Sequence, residues 1–250
     1  MVRIKSAKDI EAMRPACHHA ADTLVMIEPY IKAGITTDYI NDLVHAFTTE
    51  AGGIPAPLNY HGFPKSVCTS VNHVVCHGIP NSKKIQAGDI INVDVTTIIN
   101  GWHGDTSMTF YVGEPKVQAR KVTEIARRAL EIGISIVRPG ATLGDIGHAI
   151  QSYVEGEKCS VVREYCGHGI GTTFHEDPQI LHYGKPGEGL TLKQGMVFTI
   201  EPMVNFGKAG VKVLSDGWTV VTRDRSLSAQ FEHTMVVTED GCEVLTIPSS

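Results

Sequence analysis

Long apolar stretches are missing from this sequence of 250 residues. No uninterrupted run approaches the roughly 20 apolar residues that are needed to cross a bilayer. The first residues, Met1 to Ser6, lead directly into charged positions and lack the apolar core of a signal peptide. Hydrophobic residues make up 42% of the chain, which is typical of a globular protein. We therefore expect a cytoplasmic protein without a membrane partner.

Clustered basic residues and paired cysteines are also scarce. The net charge is −5, and the lysines and arginines are scattered, which argues against direct nucleic-acid specificity. The six cysteines contain no C-x-x-C pair, so a structural zinc site is not expected and reduced thiols are the default. No linker or low-complexity tract divides the chain, and its length suits one domain. Twelve histidines are the first unusual feature.

The chain contains a weak internal repeat. Seven apolar or glycine positions between 20 and 47 recur 106 residues later, between 126 and 153. Their spacing predicts two amphipathic helices separated by a glycine break in each copy. A β-rich stretch follows each pair and contains a strand that ends in a carboxylate, at 88–94 and at 195–201. We predict a single catalytic domain of the α+β class. Its two related halves occupy about residues 1–114 and 115–250.

Capping signals predict where two of the helices begin. Ser6 with Asp9, and Thr142 with Asp145, each place a capping side chain three residues before an acid, as in a capping box. Pro15 falls inside the first helix and predicts a kink or a later start there.

A β-hairpin is expected to bring two aspartates together. Asn-Gly at 100–101 is a strong signal for a two-residue turn. This turn places Asp105 opposite Thr96, with Asp94 on the same face at a diagonal position, roughly 7–8 Å away at the backbone. Two carboxylates on one half-apolar face repel each other, so the pattern favours a divalent metal. For either aspartate alone, a hydrogen-bonded or ion-paired strand residue is the alternative.

Three further side chains could complete such a site. Glu201 ends an apolar strand before Pro202, Glu232 precedes a β-branched run, and His168 lies among three glycines that permit close backbone approach. Surface charge or structural hydrogen bonding is the alternative for each. One imidazole with four carboxylates is an oxygen-rich donor set that suits Mn, Fe or Co and also accommodates Zn. Two metals sharing carboxylates would hold and acidify a water molecule.

Taken together, these segments resemble the methionine aminopeptidase family of the pita-bread fold. The resemblance extends over essentially the whole chain. It is carried by YHGFPKS at 60–66, VCHGIP at 75–80, NVDV at 92–95, HGDT at 103–106, CGHGIG at 166–171, TIEP at 199–202 and SAQFEHT at 228–234. It implies two pseudo-symmetric halves of helix pairs packed on antiparallel β-sheet. It also implies removal of the initiator methionine from nascent proteins, with preference for a small second residue.

The resemblance also assigns roles to individual residues. It implies two divalent ions (Co, Mn, Fe or Zn) per chain, with Asp105 and Glu232 bridging both ions. The implied metal ligands are Asp94, Asp105, His168, Glu201 and Glu232. The implied catalytic residues are His77 and His175, which contact the substrate near the scissile amide, and Glu201, which accepts a proton from the attacking water. The implied methionine pocket consists of Tyr60, Phe63, Cys68, Phe174 and Trp218, for which core packing is the alternative.

The partners implied by the resemblance are the N-termini of nascent, deformylated polypeptides. The ribosome is a further candidate partner, and we expect a monomer. The short start resembles the bacterial type I form. Two alternatives remain at this point: an Xaa-Pro dipeptidase or aminopeptidase of the same fold, and a non-enzymatic pita-bread binding protein. The first usually carries a separate preceding domain, and the second lacks the metal ligands.

Overall fold

The computed structural model describes residues 2–249. The helices are α1 (Ala7–Ile27), α2 (Thr37–Glu50), α3 (Val117–Ile136) and α4 (Leu143–Gly156), with 3-10 turns at Glu28–Tyr30 and Tyr60–Gly62. The strands are β1 (Ile54–Pro55), β2 (Cys68–Val71), β3 (Val74–Cys76), β4 (Ile90–Ile99), β5 (Trp102–Tyr111), β6 (Ser160–Val161), β7 (Gly167–Gly169), β8 (Glu176–Ile180), β9 (Val197–Ile200), β10 (Met203–Asn205), β11 (Val211–Val213), β12 (Val220–Thr222), β13 (Ser228–Gln230), β14 (His233–Val237) and β15 (Cys242–Val244). Of the helices in this range, none combines the length and the apolar character that a membrane span requires.

The helix starts follow the capping signals. Ser6 Oγ accepts the N–H of Asp9, whose carboxylate accepts the N–H of Ser6, and Thr142 with Asp145 repeats this box at α4. The first helix begins directly after its cap and continues through Pro15. The expectation of a later start is therefore wrong, because the cap fixes the helix start a full two turns before the proline.

Across residues 2–249 the strands form four antiparallel sheets. β4 lies between β1 and β2 in one sheet and also pairs with β5, and a five-stranded sheet has the order β15-β14-β9-β7-β8. Two three-stranded sheets have the orders β13-β10-β6 and β11-β12-β3. Helix pairs on antiparallel sheets confirm the predicted α+β class.

Each helix pair covers its own part of the core. In the first half, α1 packs across β4 and β5. The hydrophobic cluster of this half includes the fully buried side chains of Ile40 and Val93. In the second half, α3 and α4 pack together, and the hydrophobic cluster of this half includes the fully buried side chains of Ile146 in α4 and Phe198 in β9. Burying each such side chain stabilises the fold by about 1.5–3 kcal/mol. We propose that these units are the two related halves of one catalytic domain, dividing near residue 114.

The two halves meet where β5 faces the segment between β13 and β14. Asn92 Nδ2 donates to the carbonyl of Gln230 (2.9 Å), Thr106 Oγ1 donates to the carbonyl of Glu232 (2.7 Å), and the N–H of Glu232 donates to Ser107 (3.0 Å). The β-branched run after Glu232 forms β14 as expected, and Glu232 itself pairs across to Ser107 of β5. This junction places carboxylates of both halves side by side.

Candidate active site

The five predicted metal ligands converge on one cavity of about 530 Å³. The first half contributes Asp94 from β4 and Asp105 from β5, and the second contributes His168 from β7, Glu201 from the end of β9, and Glu232 from the junction. Asp105 and Glu232 are only 3% and 2% exposed. Donor atoms of Asp105, His168 and Glu232 lie within 4.8 Å of one another, which is close enough to share a cation.

The predicted hairpin register is confirmed. The turn residues at 100 and 101 have φ values of 50° and 81°, and the ladder between β4 and β5 continues without a register shift. Thr96 lies opposite Asp105, as expected, and its Oγ1 donates to Asp105 Oδ1 (2.8 Å). Asp94 lies opposite Ser107 on one side and Cys68 on the other. The turn therefore fixes both aspartates on the face of the sheet that borders the cavity.

His168 is oriented with one ring nitrogen towards the carboxylates. Its Nδ1 lies 3.0 Å from the carbonyl of Gly169, so the proton belongs on Nδ1, where it can be donated. Its Nε2 lies 3.5 Å from Asp105 Oδ2 and 3.6 Å from Glu201 Oε1. The preceding glycine, Gly167, is required because a Cβ there would lie 2.3 Å from a carbonyl oxygen of β9. Such a bare Nε2 suits metal coordination.

Glu201 is held by three residues that the sequence did not single out. Thr199 Oγ1 donates to Glu201 Oε1 (2.8 Å), and Gln230 Nε2 donates to Oε2 (3.1 Å). The backbone N–H of Glu201 donates to Nε2 of fully buried His182 (3.1 Å). Thr199 could have been found, because it lies two residues before Glu201 and so shares its face of the strand. No sequence signal points to His182.

The carboxylates are buried close to one another, and nearby cations would stabilise their charged forms. Burial, reinforced by the neighbouring acids, raises the pKa values of Asp94 and Glu232 well above their usual range. Burial raises the pKa of Glu201 to about 7, although nearby His168 opposes the shift. Within residues 2–249, no lysine or arginine forms an ion pair with any of these acids. Buried anions without cationic partners are costly, so the donor set fits divalent metal ions.

Two further histidines and a group of aromatic rings form the wall of the same cavity. His77, with a φ of 54°, meets the edge of Trp218 at 6.3 Å between ring centroids. The ring of His175 stacks on Phe174 (4.2 Å) and lies 4.2 Å from that of His168. Phe63 packs edge-on against Trp218 (5.2 Å).

Tyr60 and Cys68 complete this wall. Burial raises the pKa of the Cys68 thiol well above its usual range, so it remains a neutral, apolar group. All seven residues predicted to contact the substrate thus border one cavity, next to the carboxylates. The resulting site is mainly apolar, with a few convergent polar groups, as is typical of ligand sites.

The sequence is similar to a known protein family and to individual enzymes over nearly its whole length. A family model described as metallopeptidase family M24 matches residues 11–239. The methionine aminopeptidase of Rickettsia prowazekii is 56% identical over 248 residues, covering 98% of this chain and 95% of the relative. That of Haemophilus influenzae is 54% identical over 249 residues, covering 98% of this chain and 93% of the relative.

Solved structures show the same fold. The crystal structure of the Rickettsia prowazekii methionine aminopeptidase superposes with a TM-score of 0.98 at 56% identity, covering 99% of this chain and all of that one. A prolidase from Pyrococcus horikoshii superposes with a TM-score of 0.75 at 22% identity. That match covers 98% of this chain and 64% of the prolidase, and it shows the fold alone.

Proposed function

The chain belongs to metallopeptidase family M24 and has the pita-bread fold, and from this premise we propose how its cavity works. The protein is a divalent-metal-dependent hydrolase that removes the N-terminal methionine of proteins. The observation that best supports this function is the group of four carboxylates and one imidazole, buried without cationic partners beside an apolar cavity. A non-enzymatic binding protein would have no use for this costly cluster.

We propose that the cavity binds two ions, of Co, Mn, Fe or Zn. Asp105 and Glu232 are the most buried of the acids, and a donor atom of each lies within 4.8 Å of the other and of one on His168. These two carboxylates would be shared by both ions. Asp94 would complete one side. His168, through Nε2, and Glu201 would complete the other, which agrees with the 3.6 Å between these two groups. Carboxylate oxygens with one imidazole suit these borderline and hard cations.

The chemistry divides between the ions and the surrounding side chains. When bound, the ions would polarise the scissile carbonyl and lower the pKa of a water molecule. Glu201 accepts the proton of the attacking water and passes it to the leaving amine. His175 donates a hydrogen bond to the carbonyl oxygen as negative charge develops on it, and His77 orients the scissile amide. Burial lowers the pKa of His77, and burial with the nearby imidazole of His168 lowers that of His175 to about 4. Both rings are therefore neutral hydrogen-bonding groups at neutral pH.

The substrate side chain would lie in the aromatic part of the cavity. Tyr60, Phe63, Cys68, Phe174 and Trp218 offer an apolar, polarizable surface that suits unbranched methionine. The free α-amine would contact the ion on the Asp94 side, so a formylated N-terminus is rejected. Because His77 and the scissile carbonyl crowd the next position, the second residue should be Gly, Ala or Ser.

We infer that the substrates are nascent, deformylated polypeptides in the cytoplasm, and that the enzyme acts as a monomer, with the ribosome as a further partner. An Xaa-Pro peptidase is the second candidate. It shares the fold, but its similarity lies far below the 52–56% identity to methionine aminopeptidases.

A peptide panel tests this function. The enzyme is stripped with a chelator, reloaded with Mn²⁺, Co²⁺, Fe²⁺ or Zn²⁺, and assayed for the released N-terminal amino acid from Met-Ala, Met-Arg, formyl-Met-Ala and Xaa-Pro peptides. We expect no turnover without metal and efficient release from Met-Ala alone among the four. Full activity after chelation would refute the metal mechanism. Equal rates for Met-Ala and Met-Arg, or cleavage of the formylated peptide, would refute the placement of the substrate.

A further inference from the structure

The hydroxyl of Tyr60 contacts the imidazole of His175. Tyr60 Oη lies 2.7 Å from His175 Nδ1, a short hydrogen-bond distance between residues 115 positions apart. Tyr60 belongs to the 3-10 turn at Tyr60–Gly62, whereas His175 directly precedes β8. The contact thus joins a turn of the first half to a catalytic candidate of the second half.

The backbone around Tyr60 is held in an uncommon conformation. Asn59 and His61, on either side, have positive φ values of 66° and 47°, a region that residues other than glycine rarely adopt. Backbone hydrogen bonds hold the turn, among them from Phe63 N–H to the carbonyl of Tyr60 (2.9 Å) and from Asn59 N–H to the carbonyl of Phe63 (2.8 Å). Strained turns of this kind persist where the surrounding contacts determine them. Here the result is a tyrosine aimed at the His175 ring.

The ring of Tyr60 and its hydroxyl make separate contacts. The ring packs on Phe174 at 4.9 Å and on His175 at 5.2 Å between centroids, with His61 on its other edge at 4.3 Å. These contacts account for its place in the wall of the cavity. The hydroxyl adds a directional bond, which a phenylalanine at the same position would lack while keeping the ring contacts.

The direction of this bond determines which nitrogen of His175 carries the proton. A phenol O–H is a better donor than the N–H of a neutral imidazole, so the hydroxyl donates and Nδ1 accepts. An imidazole whose Nδ1 accepts a hydrogen bond carries its ring proton on Nε2. Nε2 is the nitrogen left for the substrate, since Nδ1 is occupied.

We propose that Tyr60 is a positioning residue that fixes the tautomer and orientation of His175, so that Nε2–H points at the scissile carbonyl oxygen. The inference rests on the proposed role of His175 as a donor to that oxygen. It gives Tyr60 a second task beyond lining the methionine pocket. Without the hydroxyl, part of the population would present a bare nitrogen lone pair to the carbonyl oxygen, and the two would repel each other.

Kinetics of Tyr60→Phe test the consequence for catalysis. With metals retained, we expect kcat to fall roughly 3–10-fold, the equivalent of one ordinary hydrogen bond, with little change in KM for Met-Ala peptides. In a His175→Ala background, the same substitution should cause no further loss, because Tyr60 acts through that ring. Tyr39→Phe removes a hydroxyl outside the cavity and serves as the control. An equal loss in both backgrounds would overturn the proposal.

Nuclear magnetic resonance tests the tautomer without reference to activity. In Zn²⁺-loaded enzyme with ¹⁵N-labelled histidine, the His175 signals are assigned by their loss in His175→Ala. We expect Nδ1 to show the shift of an unprotonated acceptor and Nε2 that of an N–H, with the two shifts moving towards each other in Tyr60→Phe. Unchanged shifts in Tyr60→Phe would overturn the proposal even if kcat falls. If the wild-type enzyme fails to cleave methionyl peptides, the proposed function fails, and the spectra still decide the tautomer.

Discussion

Replacing Lys5 with methionine tests whether a buried ion pair holds the N-terminal segment against the turn that carries His175. Lys5 Nζ lies 2.6 Å from Glu176 Oε2, with side chains only 1% and 13% exposed. Glu176 Oε1 also accepts the N–H of Thr173 (3.3 Å). The site is tightly packed, since a Cβ on Gly171 would lie 2.8 Å from Lys5 Cε. The pair therefore joins two segments that are remote in sequence and adjacent to the active site.

The expected cost follows from this burial. Lys5→Met keeps most of the side-chain volume but leaves the Glu176 carboxylate buried without its cation, which costs about 3–5 kcal/mol. For a protein of this size, that is a fall in Tm of roughly 10 °C. Adding Glu176→Gln to Lys5→Met removes the unpaired buried charge, and the side-chain oxygen of the glutamine can still accept the N–H of Thr173. The double variant should therefore recover most of the lost stability, because a neutral pair of similar volume is tolerated in place of a buried ion pair.

A second lysine provides a matched control. Lys65 Nζ also lies 2.6 Å from a carboxylate, that of Asp38, but these side chains are 31% and 36% exposed. Lys65→Met should cost less than about 1 kcal/mol, since solvent already screens this pair. Stability is measured by thermal and urea unfolding of the metal-free protein, followed by circular dichroism. Equal losses for the two lysines, or a double variant as unstable as Lys5→Met, would refute the argument from burial.

Three other predictions concern the active site. By calorimetric titration, Asp105→Asn should weaken binding of both metal ions more than Asp94→Asn does, and equal effects would contradict the bridging role. His77→Ala should keep its metals yet lose roughly 10²–10⁴-fold in kcat, and metal loss on elemental analysis would show it to be a ligand instead. Burial lowers the pKa of His182 to about 3, so the unfolded chain binds its proton first and stability falls as pH drops below about 6.5. His182→Asn should remove about 2 kcal/mol of the decline in unfolding free energy between pH 7 and pH 5, and an unchanged pH dependence would contradict this assignment.

The parts of the site that could be predicted from sequence are those set by local geometry. A two-residue turn leaves one register for its hairpin, so the positions of Asp94 and Asp105 followed from Asn-Gly at 100–101. The end of β9 at Ile200 likewise followed from the proline after Glu201. Both predictions depend on a few neighbouring residues, and distant packing did not override them.

The contacts that sequence reasoning missed join residues that are remote along the chain. Lys5 and Glu176 are 171 positions apart, and Glu201 receives its backbone acceptor from His182 across the sheet. A lysine near a chain start is ordinarily solvent-exposed, so nothing in composition or periodicity indicates its burial. The pairing of Glu232 with Ser107 was missed for the same reason, because these two residues are also remote along the chain.

The carboxylates lie at the junction between the two halves, so metal binding there should affect the stability of the fold. Asp105 belongs to the first half and Glu232 to the second. At this point the Thr106 hydroxyl donates to the carbonyl of Glu232, and the N–H of Glu232 donates to the carbonyl of Ser107. Burial and the neighbouring acids raise the pKa values of Asp94 and Glu232, so these two carboxyl groups favour the protonated form. Divalent ions held by this cluster would neutralise the carboxylates of both halves in place of protons. Binding to the folded form alone then stabilises the chain by mass action. The repulsion between these buried carboxylates would thus favour divalent cations, and the bound cations would hold the two halves together.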